Sequence, residues 1–264
     1  LGKRLESFYI FGSYAFGKVS LDRPDINLLF IFKEKAGPKD FLKIGELCRE
    51  TADKFQDKCS VRFEFRPFRY LYPKVKREYD IFINPAITDM ASIQATGVVF
   101  QKWFTEGLKN ANKLVHGSDV LKTIKVGDVT TEDLMKFGMM DLLFFQLPLE
   151  RAPAQYGKSE SEFLLNESLC NAKNIAYLGI EMAMTDGELK QKKYVEYIQD
   201  KQKMIDFYKE RYGAELSKKV AKVLDARDNY IKYKNSRAKA EEIFGIALEL
   251  ADAVKYKLFS RAKH

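Results

Sequence analysis

Histidine and cysteine are scarce in this 264-residue chain, which has two histidines, His116 and His264, and three cysteines, Cys48, Cys59 and Cys170. An odd number of cysteines at these spacings matches neither a disulfide framework nor a zinc pattern. Unpaired, mostly buried thiols in a reducing cytoplasm are expected. So little His and Cys argues against a zinc site and against a histidine base, leaving demanding chemistry to carboxylates and a hard divalent cation. Long apolar runs are lacking as well. The run from Ile26 to Phe32 contains Asn27, and the stretch from Phe137 to Leu149 is interrupted by Asp141 and Gln146. Neither is long enough to cross a bilayer, so no membrane segment is expected. Residues 1–20 do not run from a basic region through an apolar core to a small-residue cleavage site, and no secretion signal is read there. Fixed-period repeats and low-complexity linkers are absent too.

What remains is the composition of an ordered globular protein, 46% hydrophobic and 31% charged, with enough chain for one large or two modest domains. The net charge is +8 and unevenly spread. Residues 1–129 hold 22 Lys and Arg against 16 Asp and Glu, a surplus of +6, and the remainder holds 23 against 21, a surplus of +2. Much of the excess lies in Lys58, Arg62, Arg66, Arg69, Lys74, Lys76 and Arg77. Such a cluster attracts the phosphates of a nucleotide or a polynucleotide, and it fits a solvated basic surface equally well.

The first half reads as mixed strand and helix. Strands are expected at Ser7–Phe11, Ile26–Phe32 and Ser60–Phe68, with a fourth at Tyr79–Ile83 before Pro85. A helix is expected over Lys39–Phe55, its apolar face supplied by Phe41, Leu42, Ile44, Leu47, Cys48 and Phe55. From about Thr130 onward the pattern is helical. One helix starts near Thr130 or Thr131 and stops near Pro148. Others are expected over Ser161–Thr185, Leu189–Tyr212, Ser217–Tyr233 and Lys239–Ser260, with breaks at Gly157, Gly187 and Gly213. The fold class expected is therefore α+β, a mixed sheet with flanking helices over residues 1–129 and an all-α bundle over 130–264.

The segment that carries chemistry is Phe11-Gly12-Ser13-Tyr14-Ala15-Phe16-Gly17, followed after a loop by Asp25-Ile26-Asn27-Leu28-Leu29-Phe30. A strand delivers the chain into a Gly-Ser turn, where Gly12 permits close backbone approach and Ser13 offers a hydroxyl and an amide. A helix beginning there would cradle phosphate with its free N–H groups. The chain returns as a strand on which residues 25 and 27 point to one side. Two oxygen ligands so placed suit Mg²⁺ that also takes triphosphate oxygens.

These residues resemble the nucleotidyltransferase superfamily of DNA polymerase β, especially its aminoglycoside and minimal nucleotidyltransferase branch. Its mark is an apolar residue, Gly, and Gly or Ser, then after a loop Asp, an apolar residue, and Asp or Glu. Gly12, Ser13 and Gly17 match the turn, and Asp25 matches the first acid. The resemblance implies a third acid on a neighbouring strand, for which Glu64 is the candidate. It also implies NTP binding, ATP among the candidates, against Gly12, Ser13 and Gly17, with Mg²⁺ on Asp25, Asn27 and Glu64. Glu64 would act as base for an acceptor hydroxyl that attacks the α-phosphate and expels pyrophosphate. The acceptor, small or macromolecular, is expected between the two domains. The segment Leu114–Leu121, with His116-Gly117-Ser118-Asp119, resembles a loop that follows the sheet in the antibiotic-modifying branch.

One position departs from the pattern, because Asn27 stands where the second acid belongs. Two unit charges about 4 Å apart interact by roughly 4 kcal/mol at a dielectric of about 20, so the missing charge weakens a metal site. Asp22 lies close in sequence, but its direction cannot be read before Pro24. The rival reading is a non-catalytic descendant that binds nucleotide, RNA or a protein partner, and a second rival is a polynucleotide-directed transferase. A homodimer stays open, and no membrane partner is expected. Gly12-Ser13 alone fits an ordinary turn, Glu64 between Arg62 and Arg66 fits an ion-paired strand residue, and His116 fits a loop histidine. Tyr14 and Phe68 are the aromatics available to stack on a base.

Overall fold

Two runs rich in aromatic and branched residues, Leu5–Phe11 (β1) and Asp25–Phe32 (β2), pair antiparallel, with Phe11 opposite Asn27. They belong to a computed structural model that describes residues 1–17, 25–55, 60–63, 80–155, 161–191 and 193–262. After β2 come the helix Pro38–Phe55 (α1) and the strands Ser60–Phe63 (β3) and Asp80–Asp89 (β4). Two short helices, Met90–Gln94 (α2) and Lys102–Asn110 (α3), lead to the strand Asn112–Gly117 (β5). The five strands form one sheet in the order β3-β4-β2-β1-β5. β2 and β3 run parallel to β4, while β1 is antiparallel to both of its neighbours.

Residues 29–32 of β2 are buried in succession, as expected of a strand covered on both faces. On one face Leu29 and Ile31 pack with Tyr9, Ile93, Leu108 and Leu121, and on the other Phe30 and Phe32 pack with Ile44, Cys48 and Ile83. Because strand residues alternate sides, Asp25 and Asn27 share the face of Leu29 and Ile31. Tyr9 is fully buried, and its hydroxyl meets Ser118 O and Asp119 Oδ1, each at 3.2 Å. Burial of the ring and hydroxyl holds its pKa above the usual phenol value.

Two expectations for this half are corrected. β4 does not stop before Pro85 but runs through it to Asp89. Within β4, Pro85 stands opposite Leu28 of β2. The segment from Leu114 is not wholly loop, since Asn112–Gly117 forms an edge strand on β1, with His116 opposite Phe8 and exposed. The strand expected over Ser60–Phe68 is described only to Phe63.

The chain divides into two compact units, Leu1–Gly127 and Asp128–His264. The second comprises Thr131–Arg151 (α4), Ser161–Ala183 (α5), Asp186–Lys190 (α6), Tyr194–Gln199 (α7), Lys201–Tyr212 (α8), Ala214–Asp228 (α9), Tyr230–Lys234 (α10) and Arg237–Ala262 (α11). The long apolar stripe of α11, with Ile243, Ala247, Leu250, Val254 and Leu258 all buried, packs along α5. Their approach is close at Gly179 of α5, where a Cβ would collide with the Tyr208 hydroxyl and lie 2.9 Å from Val254 Cγ2. Cys48 and Cys170 are buried, and Cys59 lies outside the described residues. Among the described residues, no helix is long and apolar enough to cross a membrane.

The start of α4 is fixed by a reciprocal cap. Thr130 Oγ1 accepts from Asp133 N at 3.1 Å, and Thr130 N donates to Asp133 Oδ2 at 2.8 Å. Each bond satisfies a backbone or side-chain group that the first turn leaves without a partner. Thr130→Ala is expected to cost about 1 kcal/mol of stability, read as a lower urea midpoint by far-ultraviolet circular dichroism with the slope unchanged. An unaltered midpoint would show that the cap does not contribute. The far end of α4 differs from expectation: the helix passes through Pro148 and ends at Arg151. Proline has no N–H to give the Phe144 carbonyl, yet the helix continues for three residues beyond it.

Candidate functional site

At one end of the sheet the C-terminus of β1 lies beside the N-terminus of β2. β1 ends at Phe11, and Gly12 turns the chain with φ +76°, a left-handed conformation that glycine adopts without strain. Gly12 N donates to Ala111 O at 3.0 Å, and Gly12 O accepts from Ala15 N at 3.0 Å, which closes a 3-10 turn over Gly12–Tyr14. Gly17 N then donates to Tyr14 O at 3.2 Å, with Gly17 again at positive φ, +69°. The helix expected at this point is a single 3-10 turn of three residues. A phosphate cradle at this turn would therefore have no sustained helix dipole behind it. Its donors would be the backbone amides of Ser13 and Tyr14 and the Ser13 hydroxyl.

Asp25 begins β2 directly across from this turn. Ser13 Oγ donates to Asp25 Oδ1 at 3.4 Å, a long hydrogen bond that joins the Gly-Ser turn to the acid. Asn27 lies one pleat further on, between Phe11 of β1 and Asn84 of β4 in register. Asn84 Nδ2 donates to Asn27 Oδ1 at 3.2 Å. A Cβ placed on Gly12 would lie 2.9 Å from Asn27 Nδ2 and 3.8 Å from its Cγ, so the amino side of the Asn27 amide faces the turn. Any side chain at residue 12 would press on that amide. All four residues, Ser13, Asp25, Asn27 and Asn84, are half-buried, whereas Tyr14 stands exposed on the turn.

Of the expected site residues, the structure thus gathers Gly12, Ser13, Asp25 and Asn27, with Gly17 closing the turn. Glu64, Asp22 and Phe68 lie outside the described residues. So do Lys58, Arg66, Arg69, Lys74, Lys76 and Arg77, and of Arg62 only the backbone, in β3, is described. Sequence reasoning missed Asn84. An Asn-Pro pair reads as turn chemistry, and nothing local reveals that β4 pairs in parallel with β2.

The described donors alone, without Glu64, do not make the expected Mg²⁺ site. Among the described residues, no group of three or more His, Cys, Asp or Glu side chains stands ready to hold a metal ion. Asp25 suits such an ion by charge, but the Asn27 oxygen is engaged by Asn84 and brings no charge. One carboxylate, one hydroxyl and an amide turned nitrogen-first are poor ligands for a hard divalent cation.

No family model matches the chain, and no curated protein sequence does. Among solved structures it is similar to a spectinomycin adenyltransferase from Enterococcus faecialis crystallised with ATP and spectinomycin. The likeness covers 97% of this chain and 93% of that one, at 12% sequence identity and a TM-score of 0.49.

Proposed function

We propose that residues 1–127 form a nucleotide-binding unit of the nucleotidyltransferase kind, and that its transfer of NMP to a hydroxyl acceptor is weakened by Asn27. The observation that carries this reading is the meeting of the Gly12–Ser13 turn with Asp25 at one end of a mixed sheet, joined by the Ser13–Asp25 hydrogen bond. On nucleotide binding the Ser13 hydroxyl and the turn amides donate to phosphate oxygens, and Gly12 leaves room for them. The Ser13 hydroxyl has a single hydrogen, which goes to Asp25 in the free protein and turns to the phosphate on binding. The reaction is attack of an acceptor oxygen on the α-phosphorus. A new P–O bond forms, the α–β bridging bond breaks, and pyrophosphate leaves with its electron pair. The acceptor proton passes to a base, the role the family resemblance gives Glu64.

Ser13→Ala tests the cradle. It is expected to weaken ATP or other NTP binding by about tenfold, the scale of one hydrogen bond to a charged group, measured by calorimetry with the fold checked by circular dichroism. Unchanged affinity for every NTP would move the site elsewhere. The Asn27–Asn84 pairing favours a second reading, a binding protein without turnover. Pyrophosphate release separates the two.

A further inference from the structure

The amide of Asn27 has two ends with opposite chemistry, and its neighbours decide which end faces the site. Asn84 Nδ2 engages the oxygen at 3.2 Å. The nitrogen is then the end nearest Gly12, 2.9 Å from where a Cβ would stand there, and the oxygen lies beyond 4 Å of that point. An amide nitrogen carries two donor hydrogens and binds anions, whereas an amide oxygen is a ligand for cations. The position that would offer a metal ligand in a two-acid site thus offers a hydrogen-bond donor here.

We infer that Asn84 is a positioning residue that turns Asn27 into a phosphate-facing donor, so that the site takes a nucleotide polyphosphate without a divalent cation. This rests on the nucleotide reading above. Asn27 Nδ2 joins the Ser13 hydroxyl and the Ser13 and Tyr14 amides as donors around Gly12, all supplied by the chain. Asp25 opposes the anion with one charge. The surplus of +6 over residues 1–129 offsets that charge at longer range. With two carboxylates a polyphosphate would be excluded unless a cation came with it. With a donor amide in place of the second acid of the strand pair, it is admitted alone.

The experiment is calorimetric titration of the full chain with ATP in Mg²⁺ and again in EDTA. For the wild type the two dissociation constants are expected to agree within about threefold. Asn27→Asp replaces the donor by a charge, and it is expected to make binding in EDTA more than tenfold weaker than in Mg²⁺. Asn84→Leu removes the donor without adding a charge, so the Asn27 amide is no longer held with its nitrogen toward the turn and its oxygen can face it. It too is expected to become Mg²⁺-dependent, an effect that loss of folding would not mimic because binding in Mg²⁺ persists. If wild-type binding is lost in EDTA and present in Mg²⁺, this inference is overturned while the nucleotide reading stands. ATP binding in neither condition overturns both.

Discussion

The Asn27→Asp protein is expected to release pyrophosphate from an NTP about tenfold faster than wild type or more, in Mg²⁺ with a hydroxyl acceptor present. Each 1.4 kcal/mol of transition-state stabilisation is about a factor of ten, and a restored acid adds a full charge one pleat from Asp25. Residues 25 and 27 share a face of β2, the face of Leu29 and Ile31. One oxygen of the new carboxylate would keep the hydrogen bond from Asn84, and the other would face the Gly12 turn where the amide nitrogen now lies. Two acids on one rigid strand make the charged oxygen pair that a hard cation requires. Asp25→Asn is expected to abolish turnover in either background. The assay is pyrophosphate release across the four NTPs with a panel of hydroxyl acceptors. If Asn27→Asp tightens Mg²⁺ yet yields no turnover, the chain is a binding protein. Wild-type turnover that survives Asp25→Asn would falsify the assignment of the site to this strand.

How much of this was legible from sequence depends on whether the deciding contact is local. β2 was legible because an acid at Asp25 precedes an apolar run that only a strand buried on both faces accommodates. The start of α4 was legible from Thr130 and Asp133, three residues apart. The stripe on α11 was legible because a buried helix repeats its apolar positions at helical spacing. Harder were features set by tertiary pairing. The pattern over Leu189–Tyr212 reads as one helix, but the fold divides this region into α6, α7 and α8, and Asp200 caps α8 by accepting from Gln202 N at 2.9 Å and Lys203 N at 3.1 Å. That Asp followed by a helical pattern was a readable signal. Gly187 likewise lies inside α6, whose capping residue is Thr185, rather than at a break. Asn84 offered no such signal. Its role arises only when β4 is placed parallel to β2 and Asn84 comes level with Asn27. For the same reason the turn at Gly12 was legible as a turn, while its 3-10 form was not.

Raising the pH from about 5 to 7 is expected to destabilise the helical unit through Glu181, and Glu181→Gln is expected to remove that dependence. Glu181 lies on α5 with 3% of its surface exposed, and its Oε2 is buried without a hydrogen-bond partner among the described residues. Burial in an apolar bundle disfavours the charged form and pushes the carboxyl well above its ordinary value of 4.5. The Tyr194 hydroxyl works against that shift, and the negative charge of Asp141 adds to it. The folded state therefore keeps a proton on Glu181 at pH values where the unfolded chain has released it. Below the unfolded value both states are protonated and the group contributes no slope. Between the unfolded value and the raised folded one, stability falls by up to about 1.4 kcal/mol per pH unit for the one proton concerned. Above the folded value both states are ionised and the loss is complete. Glutamine keeps the shape without ionising, so the variant should be more stable than wild type at pH 7 and nearly equal to it at pH 4. Urea denaturation followed by circular dichroism reports the helices, while fluorescence of Trp103, the chain's single tryptophan and buried in the first unit, serves as an internal reference. A Glu181→Gln protein with the wild-type slope between pH 5 and 7 would show that the carboxyl is ionised and solvated in the folded bundle, against the burial of its side chain.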